Sequence, residues 1–529
     1  MIKFVLAACL TVTIGSGTAL VHASTQPLLR AYLEGLDAGD TPQIAGRRLE
    51  HAAILAEVYR ARALQPLWTD RGELAEQAEV VMVAISESVG HGFVAERYHR
   101  TTLEQLLGNA RDTSGLALEL LLTDAFLGQA LHRARGVIFP PNLDSEWQVP
   151  QADIDAGQFL QSVALEKRSV AEALKSLWPQ VPEYNQLLRR RTEIAAQGDV
   201  VAVQVAQGPL LKPGQSNDRV VMLKERLLGP GSYEPLFDEQ LRQEVMAFQR
   251  SSGLEPDGIV GEATLEVLNA TPVAWIDRID ANLERWRWLP RQTPETYLRV
   301  NIAAYTLRAI DKGETALAMN VIVGQPYRRT PVFTETIKYL VLNPSWNVPF
   351  SIATKDKLPL LQANAAELAA TGYEAKASGS DTFVSVDAID WRGVTRRNFN
   401  FLLRQRPGPE NALGRVKFML PNPFAVYLHD TPSRELFAKQ ERSFSSGCVR
   451  LEQPLELAAW LLAREGHPDA GRLQQRLADG TTQTIYLKQP MPTYIVYFTA
   501  FTTDDGDVAF RRDIYDRDKI LIQSLRNSS

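Results

Sequence analysis

Phe444-Ser-Ser-Gly-Cys-Val-Arg-Leu451 contains Cys448, one of two cysteines in 529 residues. The other, Cys9, falls in an N-terminal stretch that reads as a removable leader, so the mature chain keeps a single thiol with no partner of its own. A lone cysteine in a turn of small residues, flanked by Gly447 and followed by Arg450, has the surroundings of a nucleophile. Glycine lets a substrate approach the backbone closely, and an arginine can lower a thiol pKa or hold a carboxylate. The same string also suits a buried structural cysteine, because free cysteine is among the most buried residue types.

Upstream, Val426-Tyr-Leu-His-Asp430 reads as a short strand that stops at Asp-Thr-Pro. Side chains alternate along a strand, so Tyr427 and His429 share a face. His429 precedes Cys448 by 19 residues, enough for a strand, a connection and a return that bring imidazole and thiol together. A Cys–His pair is the minimum for acyl transfer, with histidine taking the thiol proton and thiolate attacking a carbonyl. A histidine that merely closes a strand beside a turn is the plainer alternative.

His429-Asp430, 14 residues, then Ser445-Ser-Gly-Cys-Val-Arg450 resembles the YkuD-type L,D-transpeptidase signature of a histidine, a spacer and Ser-x-Gly-Cys-x-Arg. Tyr339-Leu-Val-Leu-Asn-Pro-Ser-Trp-Asn-Val-Pro349 resembles the large periplasmic branch, the type with a scaffold domain. Ser446 stands where many members have histidine, and Asp430 where many have glycine; both departures touch oxyanion detail rather than the chemistry. The resemblance implies a mechanism in which Cys448 attacks the third, diamino-acid residue of a tetrapeptide stem. D-Alanine leaves, protonated by His429, and a thioester remains. The amine of a second stem then forms a 3→3 cross-link, with His429 as base and then acid. Backbone N–H groups of Gly447 and Cys448, with the Tyr427 hydroxyl, are the implied oxyanion donors. Ser446 and Arg450 join the substrate-binding set, Arg450 binding a carboxylate or tying the loop. Phe444 and Trp346 read as core rather than pocket wall. No metal or nucleotide motif appears, and this chemistry needs no cofactor. The same residues serve a carboxypeptidase, an endopeptidase or a transpeptidase that loads a lipoprotein lysine. A non-catalytic wall-binding scaffold would have to keep Cys448, His429 and Arg450 as relics.

A net charge of −5 and a pI near 5.9 lack the basic excess of a nucleic-acid binder. The 45% hydrophobic and 22% charged content is that of globular domains, and the length suits three or four of about 150 residues each. Residues 1–23, with Lys3, an apolar run and Val-His-Ala23, read as a signal peptide cleaved after Ala23. No later stretch reaches the roughly 18 apolar residues of a membrane span. The expectation is an exported, periplasmic protein without stable membrane insertion, acting on peptidoglycan tetrapeptide stems beside other wall-synthesis enzymes.

The predicted class is multidomain α+β. Residues 24–205 carry apolar residues at helical spacing and read as a scaffold; His51, His91, His99 and His132 lack ligand spacing and read as surface or ordinary helix residues. Residues 206–272 read as three short helices. Phe248-Gln249, Gly253-Leu254, Asp257-Gly-Ile-Val-Gly261 and Thr264-Leu265 resemble the peptidoglycan-binding domain 1 family. Residues 273–293 form a further scaffold helix whose tryptophans read as packing. Residues 294–490 alternate and are rich in β-branched and aromatic side chains, which predicts a β-sandwich-like catalytic domain holding His429 and Cys448. Within it, about 350–405 breaks the alternation and reads as a lid or a packed subdomain. Residues 491–529 supply closing strands, ending over 508–516.

Overall fold

The computed structural model describes residues 24–108, 115–150, 152, 154–198, 203–291, 293–503 and 505–527. The leader read over 1–23, with Cys9, lies outside them. The fold mixes helix and sheet and divides into two compact units. Among the described residues, the first takes in those from 24 to 85, from 95 to 129 and from 155 to 173. It is mainly helical, with helices that include Thr25–Asp37, Ala52–Ala61 and Ala156–Leu165. Its core buries two acids as well as leucines. Glu119 accepts from the Tyr59 hydroxyl at 2.7 Å and from the Thr69 N–H at 2.9 Å. Asp124 accepts from the His51 N–H at 2.8 Å and meets His99 Nε2 at 2.7 Å. His99 is therefore a buried partner of an acid, not the surface or ordinary helix residue its spacing suggested: a buried carboxylate must find donors, and sequence spacing does not reveal which side chains will supply them.

The second unit holds the rest of the chain. Helices Asp218–Leu228, Glu239–Ser251 and Glu262–Leu268 share a core that includes Val220, Leu223, Leu241, Val245, Leu265 and Leu268. Side chains of Asn217 and Asp238 cap the first two, satisfying N–H groups that a helix start leaves open. The helix Pro272–Trp288 carries three tryptophans, and all three pack. Trp275 lies on Phe510, Trp286 on Phe498 and Trp288 on Trp147, with ring centroids 4.4, 4.7 and 4.7 Å apart.

The sheet is built from β1 (Trp147–Gln148), β2 (Thr296–Asn301), β3 (Thr306–Asp311), β4 (Glu314–Gly324), β5 (Val332–Leu342), β6 (Val416–Met419), β7 (Leu428–His429), β8 (Ser443–Ser445), β9 (Val449–Leu451) and β10 (Gln483–Val496). Hydrogen bonding runs β6-β7-β9-β4-β3-β2-β10-β5, and β6 also pairs with β5. The expected sandwich is thus one continuous sheet whose ends meet, a circuit that removes open edges. β1 adds to β5, and β8 to β4. The 350–405 stretch has its own architecture. Trp346–Asn347, Tyr373–Ala377, Val384–Ser385 and Phe401–Gln405 form a separate four-stranded sheet. With helix Leu358–Ala370 it encloses a core that includes Leu361, Tyr373, Trp391 and Leu403. After the short pair Ala500–Thr502 and Val508–Phe510 the chain ends not in extended backbone but in a helix, Arg517–Asn527. The Asp513 carboxylate accepts from the N–H of Arg517 and of Asp518 at 2.9 and 2.7 Å, which starts that helix.

Candidate active site

The short strand β7 lies between β6 and β9, and its register aligns Lys417, His429 and Arg450 across three neighbouring strands. Directly paired residues project to one face. Tyr427 and Cys448 stand two residues before His429 and Arg450, so alternation brings them to that face too. All five line a cavity of about 1010 Å³. The Tyr427 and His429 rings meet edge to face at 5.5 Å, and the Val449 N–H donates to the Tyr427 carbonyl at 3.1 Å, tying the histidine strand to the cysteine strand.

His429 is buried. Its Nδ1 is 2.5 Å from the Asp430 carbonyl oxygen. A carbonyl only accepts, so this contact fixes the neutral tautomer with the proton on Nδ1 and leaves Nε2 as the basic nitrogen. The Asp430 side chain serves the turn, accepting from the N–H of Arg415 and of Thr431 at 2.8 and 2.7 Å. Burial pushes the imidazole down to about 3, the charges of Arg450 and Lys417 push the same way, and the Asp430 carbonyl opposes them. Burial also pushes the half-buried Cys448 thiol up. Hydrogen bonding by Tyr427 and the charges of Lys417 and Arg450 oppose that rise. At rest the two groups are therefore thiol and neutral imidazole, on the wall of one cavity.

The cysteine turn is held from inside. Ser445 Oγ donates to the Cys448 carbonyl at 2.5 Å and accepts from the Gly447 N–H at 3.1 Å. The Gly447 carbonyl accepts from Thr330 Oγ1 at 2.8 Å. Gly447 has φ +113°, in the region that favours glycine; it does not line the cavity, and its N–H is engaged by Ser445. Ser446 is exposed at the rim, where its hydroxyl accepts from Arg328 at 2.9 Å. Arg328 also grips Asp356 at 2.5 and 2.8 Å. Trp346 belongs both to the core of the 350–405 region and to the cavity wall, whereas Phe444, expected in the core, is 38% exposed. Its place in β8 turns it outward between two inward serines.

Four cations on the cavity wall have no ion-pair partner among the described residues: Lys355, Lys357, Lys417 and Arg450. Arg450 Nε is buried without a hydrogen-bond partner. Lys357 lies over the rings of Trp346 and Tyr373 at 5.8 and 5.0 Å. Among the described residues no cluster of three or more His, Cys, Asp or Glu is suited to a metal. Sequence reasoning missed Lys417 and Ser445 as site residues. Ser445 opens the motif itself but was given no role there; Lys417 becomes a neighbour of Cys448 only through strand pairing.

Three stretches of the chain match family models. Residues 53–190 match "Scaffold domain", residues 216–268 match "Putative peptidoglycan binding domain", and residues 295–485 match "L,D-transpeptidase catalytic domain", YkuD. A Haemophilus influenzae protein that bears the name "Putative L,D-transpeptidase" is 26% identical over 503 residues, spanning 94% of this chain and 85% of its own. Solved L,D-transpeptidase structures from Xylanimonas cellulosilytica and Stackebrandtia nassauensis are 13% and 12% identical. Each covers 55% of this chain, with 99% and 96% of its own length and TM-scores of 0.18 and 0.20. No helix among the described residues is long and apolar enough to cross a membrane.

Proposed function

We propose, from a chain that belongs to the YkuD L,D-transpeptidase family and carries a scaffold and a peptidoglycan-binding domain beside its catalytic one, that it forms 3→3 cross-links between peptidoglycan stems through a thioester on Cys448. The observation that carries this reading is the alignment of Tyr427, His429 and Cys448 on one face of a large cavity. A volume of about 1010 Å³ is at the upper end of what small-ligand sites enclose, and a tetrapeptide needs that room.

His429 Nε2 takes the thiol proton, and the thiolate attacks the carbonyl of the third stem residue. The tetrahedral oxyanion meets the Cys448 N–H and the Tyr427 hydroxyl; Gly447 contributes its N–H only by giving up Ser445. Collapse expels D-alanine as its amine takes the proton from His429. The amine of the second stem then attacks the thioester, loses its proton to His429 and releases the thiol. Arg450, whose Nε has no partner, takes a substrate carboxylate rather than tying the loop. Ser446 acts at the rim. Residues 216–268 hold the enzyme on the wall, and residues 1–23 direct its export to the periplasm. The 350–405 region covers the cavity from the Trp346 side.

Incubating the mature protein and Cys448→Ala with disaccharide-tetrapeptide, with products read by mass spectrometry, tests the reading. A cross-linked dimer with loss of D-alanine, absent from the variant, is expected. Tripeptide without dimer would make the enzyme a hydrolase. No thioester on Cys448 would overturn the catalytic assignment.

A further inference from the structure

We propose that Lys417 is a positioning residue that supplies the positive charge against which the Cys448 thiolate forms. The proposal rests on the reading of Cys448 as nucleophile. Its geometric basis lies in β6. There Val416 and Phe418 are fully buried on one side, so alternation turns Lys417 to the other, opposite His429 in the ladder. A lysine on a half-buried strand normally carries its ammonium out to water along its flexible stem or meets a carboxylate. Lys417 does neither. Its Nζ sits 3.8 Å from the centroid of the Tyr427 ring, it lines the cavity that Cys448 lines, and no carboxylate pairs with it among the described residues. Tyr427 is in turn tied to the cysteine segment, its carbonyl accepting from the Val449 N–H at 3.1 Å, and lines the same cavity as Cys448. The ring therefore holds the ammonium beside the thiol, through a contact that favours a cation over a neutral amine.

The neighbours decide what this charge does. Facing the thiol are Tyr427 and His429 from β7 and its approach, Arg450 from its own strand, and Lys417 from β6. Lys357 of the 350–405 region and Glu435 act on Arg450. Arg328 and Asp356 neutralise each other at the rim. Lys417 is thus one of two cations that act on the sulfur, and the one on the Tyr427 side. A fixed positive charge there stabilises the thiolate once His429 has taken its proton. It also repels the imidazolium so formed, which makes His429 a better acid toward the departing amine. Both effects favour acylation, and neither needs Lys417 to touch the stem.

The test is the pH–rate profile for iodoacetamide alkylation of Cys448, followed by mass spectrometry of the Cys448 peptide. It would be run on the full chain and on Lys417→Met, Lys417→Gln and Lys417→Arg. Loss of the charge should move the profile to higher pH by about one unit, slowing alkylation at neutral pH about tenfold. Lys417→Arg should stay within about threefold of the parent. A folded neutral variant with the parent profile would overturn the proposal. So would an arginine variant shifted as far as the methionine one. A second measurement needs no Lys417 variant. Coupling between two sites is reciprocal, so deleting the thiolate in Cys448→Ala should speed acylation of the Lys417 amine by a succinimidyl ester severalfold at alkaline pH. Equal rates would overturn the proposal. Neither assay requires a stem peptide, so failure here is separable from failure to cross-link.

Discussion

Ser445→Ala and Ser446→Ala remove the same atom from adjacent residues and should differ sharply. Ser445 is 2% exposed, and its hydroxyl makes two bonds within the turn, to the Cys448 carbonyl and from the Gly447 N–H. Alanine deletes both and leaves a buried N–H without a partner, at about 1–3 kcal/mol for the orphaned group. The lost bond to the carbonyl adds roughly 1 kcal/mol, so a total of about 2–4 kcal/mol falls on the segment that carries the thiol. Ser446 is exposed, and its one bond, from Arg328, is replaced by water; its loss should cost no more than about 0.5 kcal/mol. The assay is thermal unfolding together with the rate of Cys448 acylation by a carbapenem. Ser445→Ala should lower Tm by several degrees. It should slow acylation by more than tenfold, since each 1.4 kcal/mol or so expressed in the transition state is a factor of ten. Ser446→Ala should match the parent in both. Equal losses in the two variants, or none in Ser445→Ala, would show that the inner hydroxyl does not hold the turn.

Gly414 has φ +60°, and a Cβ built on it would lie 2.4 Å from the Asp430 carboxylate carbon and 2.5 Å from the Asp430 Cβ. Rotating the aspartate cannot clear that contact, so Gly414→Ala should cost about 2–4 kcal/mol in strain and overpacking, read as a fall in Tm with slower acylation. In the 350–405 region Trp391 is 2% exposed and donates to the Val386 carbonyl at 2.7 Å. Trp391→Ala should cost about 3–5 kcal/mol, and limited proteolysis should then cut first within 350–405 rather than in the closed sheet. Burial holds His429 and His91 down to about 3, against about 6.5 in an unfolded chain. Between those values the unfolded state binds more protons, so the stability is present above about pH 6.5 and is lost as pH falls toward 3. Tm should decline over that window, and His91→Gln should flatten the decline; an unchanged slope would remove His91 from the account.

What the sequence disclosed follows the range of each signal. The strands over 296–342 are long enough for alternation to declare them. The expected strand at 426–430 shrinks to Leu428–His429 because Asn422 shapes the approach, donating to the carbonyls of Leu420 and Val426 at 2.6 and 2.7 Å. Such side-chain-to-backbone bonding leaves no periodic trace. The final helix was missed for a related reason: its start is set by Asp513, which lies in a stretch that reads as extended. Cys448, His429 and Tyr427 sit within two short strings and could be named together. Lys417, Thr330 and Arg328 could not, because they reach the cysteine turn through strand pairing and a loop, contacts made between residues far apart in the chain.

The electrostatics of the cavity bear on how a half-buried thiol could serve the proposed acylation. Asp356 is occupied by Arg328, and Arg329 is paired with Asp144 and Glu146, so the unpaired charge on the wall is positive. A positive field keeps His429 neutral, which preserves it as a base. It also lowers the cost of thiolate in a place where burial alone would raise it. Burial prevails at rest and the sulfur stays protonated. Oxidation proceeds through thiolate, so under the proposed mechanism, in which His429 takes the proton, the thiol is shielded until a carbonyl stands in front of it. A cavity with a resting thiolate–imidazolium pair would alkylate quickly at low pH; this one should alkylate slowly there and accelerate as pH rises. The direction of that single profile distinguishes a nucleophile made in the complex from one stored in the free enzyme.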